Sequence, residues 1–342
     1  MKSLLIGGTG IISSAVTELL LAQGHTVFLL NRGQRRNEFS GRTRDITIDK
    51  NDRAALKSAL DRLDAPKTKS GMQFDAVANF IAYDARDVEL DVETFSGRTS
   101  QYLVISSASA YQKPPNHYRV TESTPLCNPF WEYSRNKIAL EEAAIRAYRE
   151  KGFPVTIVRP SYTYSKFFVP GLFGLNFRHF ERIKQGKPLV VHGDGQSLWQ
   201  MTFNEDFARG FAGLIGNPRA LGESFHITSD EVLTWDQIFK TMGRAVGVEP
   251  KLVHVPVEFI RRVEPSAYDG LKGDKMYSLV LDNSKIKSVV TGYQAKVSFY
   301  EGMCRCLAYA AEHPEVLTAG AEADAKVDKL LAAWERAMGS AS

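Results

Sequence analysis

Cysteine, long apolar runs and excess charge of one sign are all scarce in this sequence. Three cysteines occur among 342 residues, Cys127, Cys304 and Cys306, so an even disulfide framework is excluded. Cys304 and Cys306 lie in a helical pattern with no histidine or second cysteine pair nearby, which favours buried small side chains over a metal site. We therefore expect no metal.

Segments that would direct the chain to a membrane are missing as well. No apolar run reaches the length needed to span a bilayer. Met1 and Lys2 run straight into an apolar strand pattern and a glycine turn, without a signal-peptide cleavage region. We expect a cytoplasmic protein with no membrane association.

The charge is nearly balanced, with 43 Lys and Arg against 39 Asp and Glu and a net charge of +4. Seven basic and four acidic residues lie between Arg32 and Arg53, so most of the excess is local. Nucleic-acid binders carry a denser basic face, and a nucleic-acid partner is not expected. The local excess suits a small anionic ligand or, alternatively, a solvated surface loop.

The pattern of apolar residues predicts an α/β fold. In the first half, short apolar runs alternate with helical patterns, which is typical of a parallel sheet covered on both faces. The predicted strands are Leu4–Ile6, Thr26–Leu30, Asp45–Ile48, Ala76–Phe80, Tyr102–Ser106 and Val155–Val158. The predicted helices are Ile11–Gln23, Asp52–Leu63, Asp87–Phe95, Tyr133–Lys151, Leu172–Gln185, Asn204–Ile215, Thr234–Val246 and Phe299–His313.

This order indicates a Rossmann-type doubly wound parallel sheet with a smaller, mainly helical C-terminal substrate lobe. We assign residues 1–163 to the Rossmann-type domain, to which residues 198–228 are expected to return. Residues 164–197 and 229–318 form the expected substrate lobe. Residues 319–342 are expected to form a C-terminal helix and tail.

A glycine-rich turn joins the first strand to the first helix. Its sequence is Gly7-Gly8-Thr9-Gly10-Ile11-Ile12-Ser13. Glycines permit a sharp turn and let backbone N–H groups approach a pyrophosphate, which the helix N-terminus also favours. This context predicts a dinucleotide site. Ser13 occupies the third glycine position, where we expect its hydroxymethyl group to cost some helix–strand packing.

The end of the second strand bears on the choice of dinucleotide. It reads Asn31-Arg32-Gly33, without the acid that usually accepts from the ribose hydroxyl in NAD sites. Arg32, with Arg35 or Arg36, is suited to a 2′-phosphate, and we prefer NADP. The alternative is NAD with Arg32 stacked on adenine. Asp49 is expected to contact the adenine amino group, or alternatively to cap the next helix.

A tyrosine and a lysine four residues apart open a long helix. Tyr133 and Lys137 share one helix face, and a neighbouring ammonium favours the tyrosine phenolate needed for proton transfer near neutral pH. Upstream, an apolar strand ends in the hydroxyls of Ser106, Ser107 and Ser109, one of which could orient a substrate oxygen.

Together these motifs make the chain resemble an extended short-chain dehydrogenase/reductase of the NAD-dependent epimerase/dehydratase superfamily. Further matching segments are Val158–Tyr164, Gly193–Gly195, Phe203–Asp206, Asp282–Lys285 and Glu301-Gly302, so the likeness covers roughly residues 1 to 312. The resemblance implies that Ser107 is the catalytic hydroxyl, Tyr133 the acid/base and Lys137 the ribose-binding lysine. It also implies that members often dimerise, so a homodimer is a further expectation.

The full set of expected site residues follows. The catalytic residues are Ser107, Tyr133 and Lys137. The cofactor residues are Gly7, Thr9, Gly10, Ile11, Ile12, Asn31, Arg32, Arg36, Asp49, Phe80, Ile81, Ala82, Ser106, Pro160 and Tyr162. The substrate residues are Ser107, Tyr83 and Trp199.

Departures from the family pattern narrow the reaction. Ala108 and Ser109 stand where sugar dehydratases carry an Asp-Glu pair, which argues against dehydration. Trp199 stands where nucleotide-sugar members place an arginine for the diphosphate, and an indole can stack on a sugar but cannot neutralise phosphate. A nucleotide-sugar substrate is therefore doubtful unless the charge comes from elsewhere, such as Arg261 or Arg262. Tyr162 stands where sugar epimerases usually have asparagine. Divergent RNA-associated plastid members of the superfamily also have tyrosine at this position.

Two functions remain open from the sequence. The first is an NAD(P)-dependent oxidoreductase or epimerase acting on a secondary alcohol or ketone of a sugar or sugar-derived small molecule, with Tyr133 as acid/base. The second is a non-catalytic cofactor-sensing or RNA-associated binding protein with the same fold. Retention of Ser107, Tyr133 and Lys137 together favours the enzyme, since a binder does not need all three.

Overall fold

The computed structural model describes residues 1–34, 37–63, 68–318 and 320–339. Arg35 and Arg36, both named above as phosphate ligands, lie outside these residues. Within the described residues no helix is both long and apolar enough to cross a membrane.

The strands follow the order expected from the apolar runs. They are β1 (Lys2–Ile6), β2 (Thr26–Asn31), β3 (Arg44–Thr47), β4 (Ala76–Asn79), β5 (Tyr102–Ile105), β6 (Arg119–Val120), β7 (Val155–Pro160), β8 (Tyr162–Tyr164), β9 (Leu189–His192), β10 (Leu198–Trp199), β11 (Met201–Phe203), β12 (Ser224–Ile227), β13 (Leu233–Thr234), β14 (Leu252–Val255) and β15 (Val280–Leu281).

The helices alternate with these strands in the first half and dominate the second half. They are α1 (Ser13–Ala22), α2 (Arg53–Asp61), α3 (Ala85–Phe95), α4 (Glu132–Lys151), α5 (Arg178–Lys184), α6 (Asn204–Leu214), α7 (Trp235–Val246), α8 (Val257–Val263), α9 (Tyr268–Gly270), α10 (Ser284–Val289), α11 (Phe299–Glu312) and α12 (Ala321–Gly339).

Seven of the described strands form one parallel sheet in the order β12-β7-β5-β4-β1-β2-β3. The order reverses direction between β1 and β4, which is the switch point where doubly wound sheets bind ligands. Two apolar cores cover the two faces: α2, α3 and α4 contribute to one, and α1, α6 and α10 to the other. The expected α/β class and doubly wound sheet are confirmed.

The later segments build a second lobe with its own apolar core. Small two-stranded pairings, β8 with β11, β9 with β14 and β10 with β13, join helices α5, α7, α8 and α11 there. The chain returns to the main sheet through α6, which packs on α1, and β12, which pairs with β7.

One predicted helix is much shorter than expected. The pattern suggested a helix over Leu172–Gln185, but α5 covers only Arg178–Lys184. Phe173, Gly174 and Asn176 have positive φ angles of 60°, 71° and 48°. Since a right-handed helix needs negative φ at every residue, the chain turns through this stretch before the helix can begin.

The C-terminal helix α12 is fixed to the lobe by apolar and ionic contacts. Val327, Leu330 and Leu331 are buried in the lobe core. Arg182 on α5, whose side chain is 1% exposed, donates to Asp324 at 2.6 Å. The helix is therefore part of the lobe and not a loose tail.

Candidate active site

The glycine turn between β1 and α1 is closed by its own backbone and by Ser13. Gly7 has φ +81°, and a Cβ there would lie 2.5 Å from Cγ2 of Ile81, so only glycine fits. The Ser13 hydroxyl donates to the Gly7 carbonyl at 2.6 Å and accepts from the Gly10 N–H at 2.8 Å. The hydroxyl expected to cost packing thus bridges the two ends of the turn.

A cleft of about 410 Å³ opens beside this turn. It is lined by Gly7, Thr9, Gly10, Leu30, Asn31, Arg32, Gly33, Gln34, Ile48, Asp49, Lys50, Asn51 and Ile81. The Asn31 carboxamide oxygen accepts from the Gly33 N–H at 2.9 Å and shapes the strand end. Arg32 is exposed at the cleft, with no hydrogen bond or ion pair to any described residue.

Asp49 does not cap the following helix. Its carboxylate accepts from the Asn51 N–H at 2.9 Å, while Asp52 caps α2 by accepting from the Ala55 N–H at 3.0 Å. Asp49 lines the same cleft as Arg32. The helix-cap alternative for Asp49 is therefore wrong.

The segment after β4 borders the glycine turn. Ile81 and Tyr83 are 48% and 46% exposed, whereas Phe80 packs against Phe211 with ring centres 5.1 Å apart. The Ala82 carbonyl accepts a hydrogen bond from Lys137. Exposed apolar groups next to a glycine turn form a surface on which a flat ring could lie.

Ser107, Tyr133 and Lys137 converge at the carboxyl ends of β4 and β5. The Lys137 ammonium donates to the carbonyls of Ala82 at 2.6 Å and Ile105 at 2.9 Å. It lies 5.6 Å from the centre of the Tyr133 ring. The Tyr133 phenol lies near the Ser107 hydroxyl. The helix α4 presents tyrosine and lysine on one face because they are four residues apart.

Burial shifts the pKa values of both α4 side chains. It raises the pKa of the Tyr133 phenol, and the hydrogen bond with Ser107 opposes this. Burial also lowers the pKa of Lys137 to about 8, although the nearby carboxylates of Asp87 and Glu141 act to raise it. The lysine therefore stays mostly protonated at pH 7 and becomes neutral as the pH rises past about 8, as expected for a buried amine.

A chain of hydroxyls supports Ser107 from behind. Ser109 lies 2.9 Å from Ser107, oxygen to oxygen, and accepts from Ser134 at 2.9 Å. The Ser106 hydroxyl is buried with no hydrogen-bond partner among the described residues. A buried polar atom without a partner costs free energy, so a bound group that pairs with it would be favoured.

A second cavity of about 440 Å³ lies between the two lobes. Its lining is Trp131, Tyr162, Gly171, Leu172, Phe173, Gly174, Glu264, Ser266, Ala267, Asp269, Gly270, Leu271, Lys275 and Lys326. The Trp131 ring is 4.9 Å from that of Tyr133, which joins the cavity to the catalytic cluster. Pro160 ends β7, and Tyr162 follows it with its hydroxyl donating to the Gly171 carbonyl at 3.0 Å.

Trp199 is placed differently from the sequence expectation. It is 2% exposed and belongs to the lobe core. Its indole N–H donates to the carbonyls of Lys275 at 3.2 Å and Tyr277 at 3.0 Å. An indole fully engaged in this way offers no face to a ligand, so the expected substrate contact at Trp199 is corrected to a structural one. Arg261 is exposed and paired with Glu258, away from the cavity lining.

Several side chains near the cluster were missed from the sequence. Lys113 and Asp274 form a buried ion pair at 3.4 Å. The negative charge of Asp274 adds to the larger effect of burial and raises the pKa of Tyr133 further. Asn128 donates to the carbonyls of Ser109 and Gly273. The bond from Asn128 to Gly273 joins residues 145 apart in the chain, and the Lys113–Asp274 pair spans an even longer stretch, so local spacing carries no signal for them.

The arrangement suits a nicotinamide dinucleotide. The glycine turn leaves no room for a side chain, the helix α1 N-terminus follows it, and the unpaired Ser106 hydroxyl lies at the end of β5. Anionic phosphates are favoured at such a helix start. The residues present therefore fit the cofactor expected from the sequence.

Comparisons with known proteins agree with this geometry. The profile described as "NAD dependent epimerase/dehydratase family" matches residues 3–228. Chloroplast stem-loop binding protein of 41 kDa b from Arabidopsis thaliana is 29% identical, over 75% of this chain and 67% of its own length. 2′-Dehydrokanamycin reductase from Streptomyces kanamyceticus is 26% identical, over 76% of this chain and 70% of its own length.

Solved structures share the fold at lower identity. UDP-glucuronic acid 4-epimerase from Bacillus cereus has a TM-score of 0.71 and 17% identity, covering 92% of this chain and 100% of the solved chain. The dTDP-glucose 4,6-dehydratase DesIV from Streptomyces venezuelae has a TM-score of 0.73 and 21% identity, covering 92% and 98%. The sequence-based recognition is confirmed: the chain is an enzyme that belongs to the NAD-dependent epimerase/dehydratase family of extended short-chain dehydrogenases/reductases.

Proposed function

We propose that this enzyme oxidises or reduces a secondary alcohol or ketone of a sugar or sugar-derived small molecule, or epimerises it by way of such a step. The observation that carries the proposal is the convergence of Ser107, Tyr133 and Lys137 beside the glycine-turn cleft. A binding protein would gain nothing from assembling all three side chains.

In this proposal each side chain has one task. Tyr133 takes the substrate hydroxyl proton on oxidation and returns it on reduction. Ser107 donates to the substrate oxygen and holds it near the phenol, with Ser109 and Ser134 fixing its position. Lys137, when protonated, favours the phenolate and so opposes the effect of burial on the Tyr133 pKa. The nicotinamide, when bound, supplies the hydride acceptor or donor.

The cofactor is assigned to the expected residues. Gly7, Thr9, Gly10, Ile11 and Ile12 would hold the pyrophosphate. Asn31, Arg32 and Asp49 would hold the adenosine, together with Arg36 from outside the described residues. Phe80, Ile81, Ala82, Ser106, Pro160 and Tyr162 would border the nicotinamide half.

The preference for NADP over NAD is part of the proposal. It is supported by the exposed Arg32 at the cleft and the absence of an acid at the end of β2. A guanidinium suits a phosphate monoester because its donors pair with the phosphate oxygens.

The substrate is assigned to the cavity between the lobes. Residues 164–197 and 229–318 supply most of its lining, which supports the proposed division into a cofactor domain and a substrate lobe. Tyr83, whose ring is 6.0 Å from that of Tyr133, would contact the substrate from the other side. The cytoplasm and a homodimer remain predictions.

The alternative is binding without catalysis. It is favoured by one observation, the 29% identity to a protein named for stem-loop binding. The nearly balanced charge and the assembled catalytic cluster argue against it.

The cofactor that copurifies with the protein tests the proposal and separates its two forms. A tightly held, non-exchanging NAD⁺ would favour an epimerase, and an empty site that binds NADPH would favour a reductase. A protein that binds neither dinucleotide contradicts the proposal.

The Tyr133→Phe variant tests the acid/base assignment. Turnover should fall by about 10²- to 10⁴-fold, because a general acid–base group contributes that much, while cofactor affinity stays nearly unchanged. Tyr118→Phe, at a 51% exposed tyrosine, is the matched control. A Tyr133→Phe variant that keeps more than about a tenth of its activity would refute the assignment.

A further inference from the structure

One cation in the cavity between the lobes, Lys275, has no counter-ion among the described residues. Lys275 is partly buried and lines this cavity. Its ammonium lies 5.5 Å from the centre of the Trp131 ring and 5.6 Å from that of Tyr162. No hydrogen bond or ion pair to a described residue is made by its Nζ. Aromatic faces attract the ammonium but do not neutralise it.

The neighbouring charges are already paired or exposed to water. Asp274, the adjacent residue, forms its ion pair with the buried Lys113 at 3.4 Å. Glu264 lies 3.7 Å from Lys326. Asp269 also lines the cavity, but its side chain is exposed. The inner part of the cavity therefore keeps one positive charge, at Lys275.

The backbone of Lys275 is held unusually firmly. Its carbonyl accepts from the ring Nε2 of His192 at 2.8 Å and from the Ser197 hydroxyl at 3.1 Å. The indole N–H groups of Trp199 and Trp235 both lie 3.2 Å away. The residue ends a π-helical turn over Leu271–Lys275, a conformation frequent at functional sites.

We propose that Lys275 binds a single acidic group of the substrate, a carboxylate or a phosphate, with Trp199 as the residue that positions it. The position of Trp199, where nucleotide-sugar members of the family place an arginine, carries no charge in this chain. Lys275 would supply the positive charge from another part of the chain. The Trp131 ring lies beside both the Lys275 ammonium and the Tyr133 ring, so we place the sugar along this ring, with its reacting carbon at Tyr133 and one acidic substituent at Lys275. This inference rests on the proposed function for the site it deepens.

Burial lowers the pKa of Lys275, which the charge of Asp274 opposes. An anion beside the ammonium would raise this pKa again, because an opposite charge nearby favours ionisation.

The test measures binding to the enzyme–dinucleotide complex by calorimetry, with probes in matched pairs. Glucose is compared with glucuronate and with glucose 6-phosphate, and galactose with galacturonate. In the wild-type enzyme at least one acid should bind about tenfold to a hundredfold more tightly than its neutral partner, the range for a charge-assisted bond. The uronate and phosphate arms distinguish the two sources of charge.

Substitutions assign that preference to its residues. Lys275→Met should remove it while leaving dinucleotide affinity and neutral-sugar affinity unchanged, and Lys275→Arg should retain part of it. Trp199→Phe should weaken acid binding by a smaller factor and leave neutral sugars unaffected. Lys272→Met is the matched control, since Lys272 lies in the same turn but pairs with Glu258 at 3.9 Å.

Two outcomes would overturn the inference: no acid binds more tightly than its neutral partner, or the preference survives in Lys275→Met. Hydride transfer is measured separately on the same compounds. If none is turned over but the acid preference is present and depends on Lys275, the proposed reaction fails and the anion site stands.

Discussion

The hydroxyl of Ser13 donates to the carbonyl of Gly7 at 2.6 Å and accepts from the N–H of Gly10 at 2.8 Å. One side chain thus closes both ends of the turn that precedes α1. Because the turn must hold its N–H groups in place before the dinucleotide arrives, this closure lowers the ordering cost of binding.

Ser13→Ala should weaken dinucleotide affinity about fivefold. The substitution removes one hydrogen bond at each end of the turn, and a net loss of about 1 kcal/mol corresponds to that factor. Fluorescence titration of the cofactor measures it. Ser14→Ala, at the neighbouring buried serine, is the control and should have little effect. Equal affinities for wild type and Ser13→Ala would show that the serine only fills space.

Much of this site could be predicted because its motifs are local in the chain. The glycine turn and the Tyr133 and Lys137 pair each lie within one strand–turn–helix unit, whose periodicity the sequence displays. The cofactor cleft follows, since parallel strands bring their carboxyl ends to one edge.

The substrate side could not be predicted in the same way. Trp199 was expected to contact substrate, yet its indole is buried against the carbonyl of Lys275, 76 residues away. The pairing of Lys113 with Asp274 also joins the two halves of the chain. Such contacts depend on how the second lobe folds back, and neither periodicity nor spacing reports that.

Lys137→Met should weaken cofactor binding as well as turnover. The ammonium is held by the carbonyls of Ala82 and Ile105 beside Tyr133, and methionine preserves its length without its charge. Calorimetric titration of the dinucleotide at pH 7 measures the loss. Unchanged cofactor affinity in this variant would contradict the dual role of the lysine.

The same lysine predicts a pH dependence. Burial lowers its pKa to about 8, so in the free enzyme the ammonium is lost above that pH. Cofactor affinity of the wild-type enzyme should therefore fall between pH 7 and pH 9, while Lys137→Met should show no such fall. A parallel decline in both proteins would assign the titration to another group.

The buried arginine under α12 predicts a large loss of stability. Arg182 donates to Asp324 at 2.6 Å and to Asp328 at 2.7 Å. Asp324→Ala should cost about 3–5 kcal/mol, because it leaves a buried charge poorly compensated. The side chain of Asp328 is 50% exposed, so Asp328→Ala should cost only about 0–1 kcal/mol. Urea unfolding of the two variants measures both losses of unfolding free energy. Equal losses would contradict the prediction.

Acid should destabilise the fold before the carboxylates titrate. Burial lowers the pKa of His179 and of His192 to about 4 from 6.5, so the unfolded chain binds more protons below pH 6.5. Stability from these groups is present above pH 6.5 and is lost as the pH falls towards 4, by a few kcal/mol per histidine. Urea midpoints between pH 7.5 and pH 5 measure this. His179→Gln should flatten the dependence, whereas exposed His117→Gln should not.

Cofactor choice depends on Arg32. The side chain stands exposed at the adenosine end of the cleft, without a partner among the described residues, while Lys50 in the same cleft is paired with Asp87. A 2′-phosphate would carry roughly one to two negative charges near neutral pH, by analogy with other phosphomonoesters. Each charge-assisted bond to it contributes about 1.5–3 kcal/mol, or roughly tenfold to a hundredfold in affinity.

NADPH should therefore bind more tightly than NADH, and Arg32→Ala should remove most of the difference while leaving NADH affinity nearly unchanged. Fluorescence titration of both cofactors measures it. Arg42→Ala is the control, because Arg42 is occupied by Glu18 at 2.7 Å on the surface. An arginine that binds a 2′-phosphate must discriminate between the two dinucleotides. Equal affinities in the wild-type protein, or a preference for NADH, would therefore contradict the prediction and favour the alternative that Arg32 belongs to a solvated surface loop.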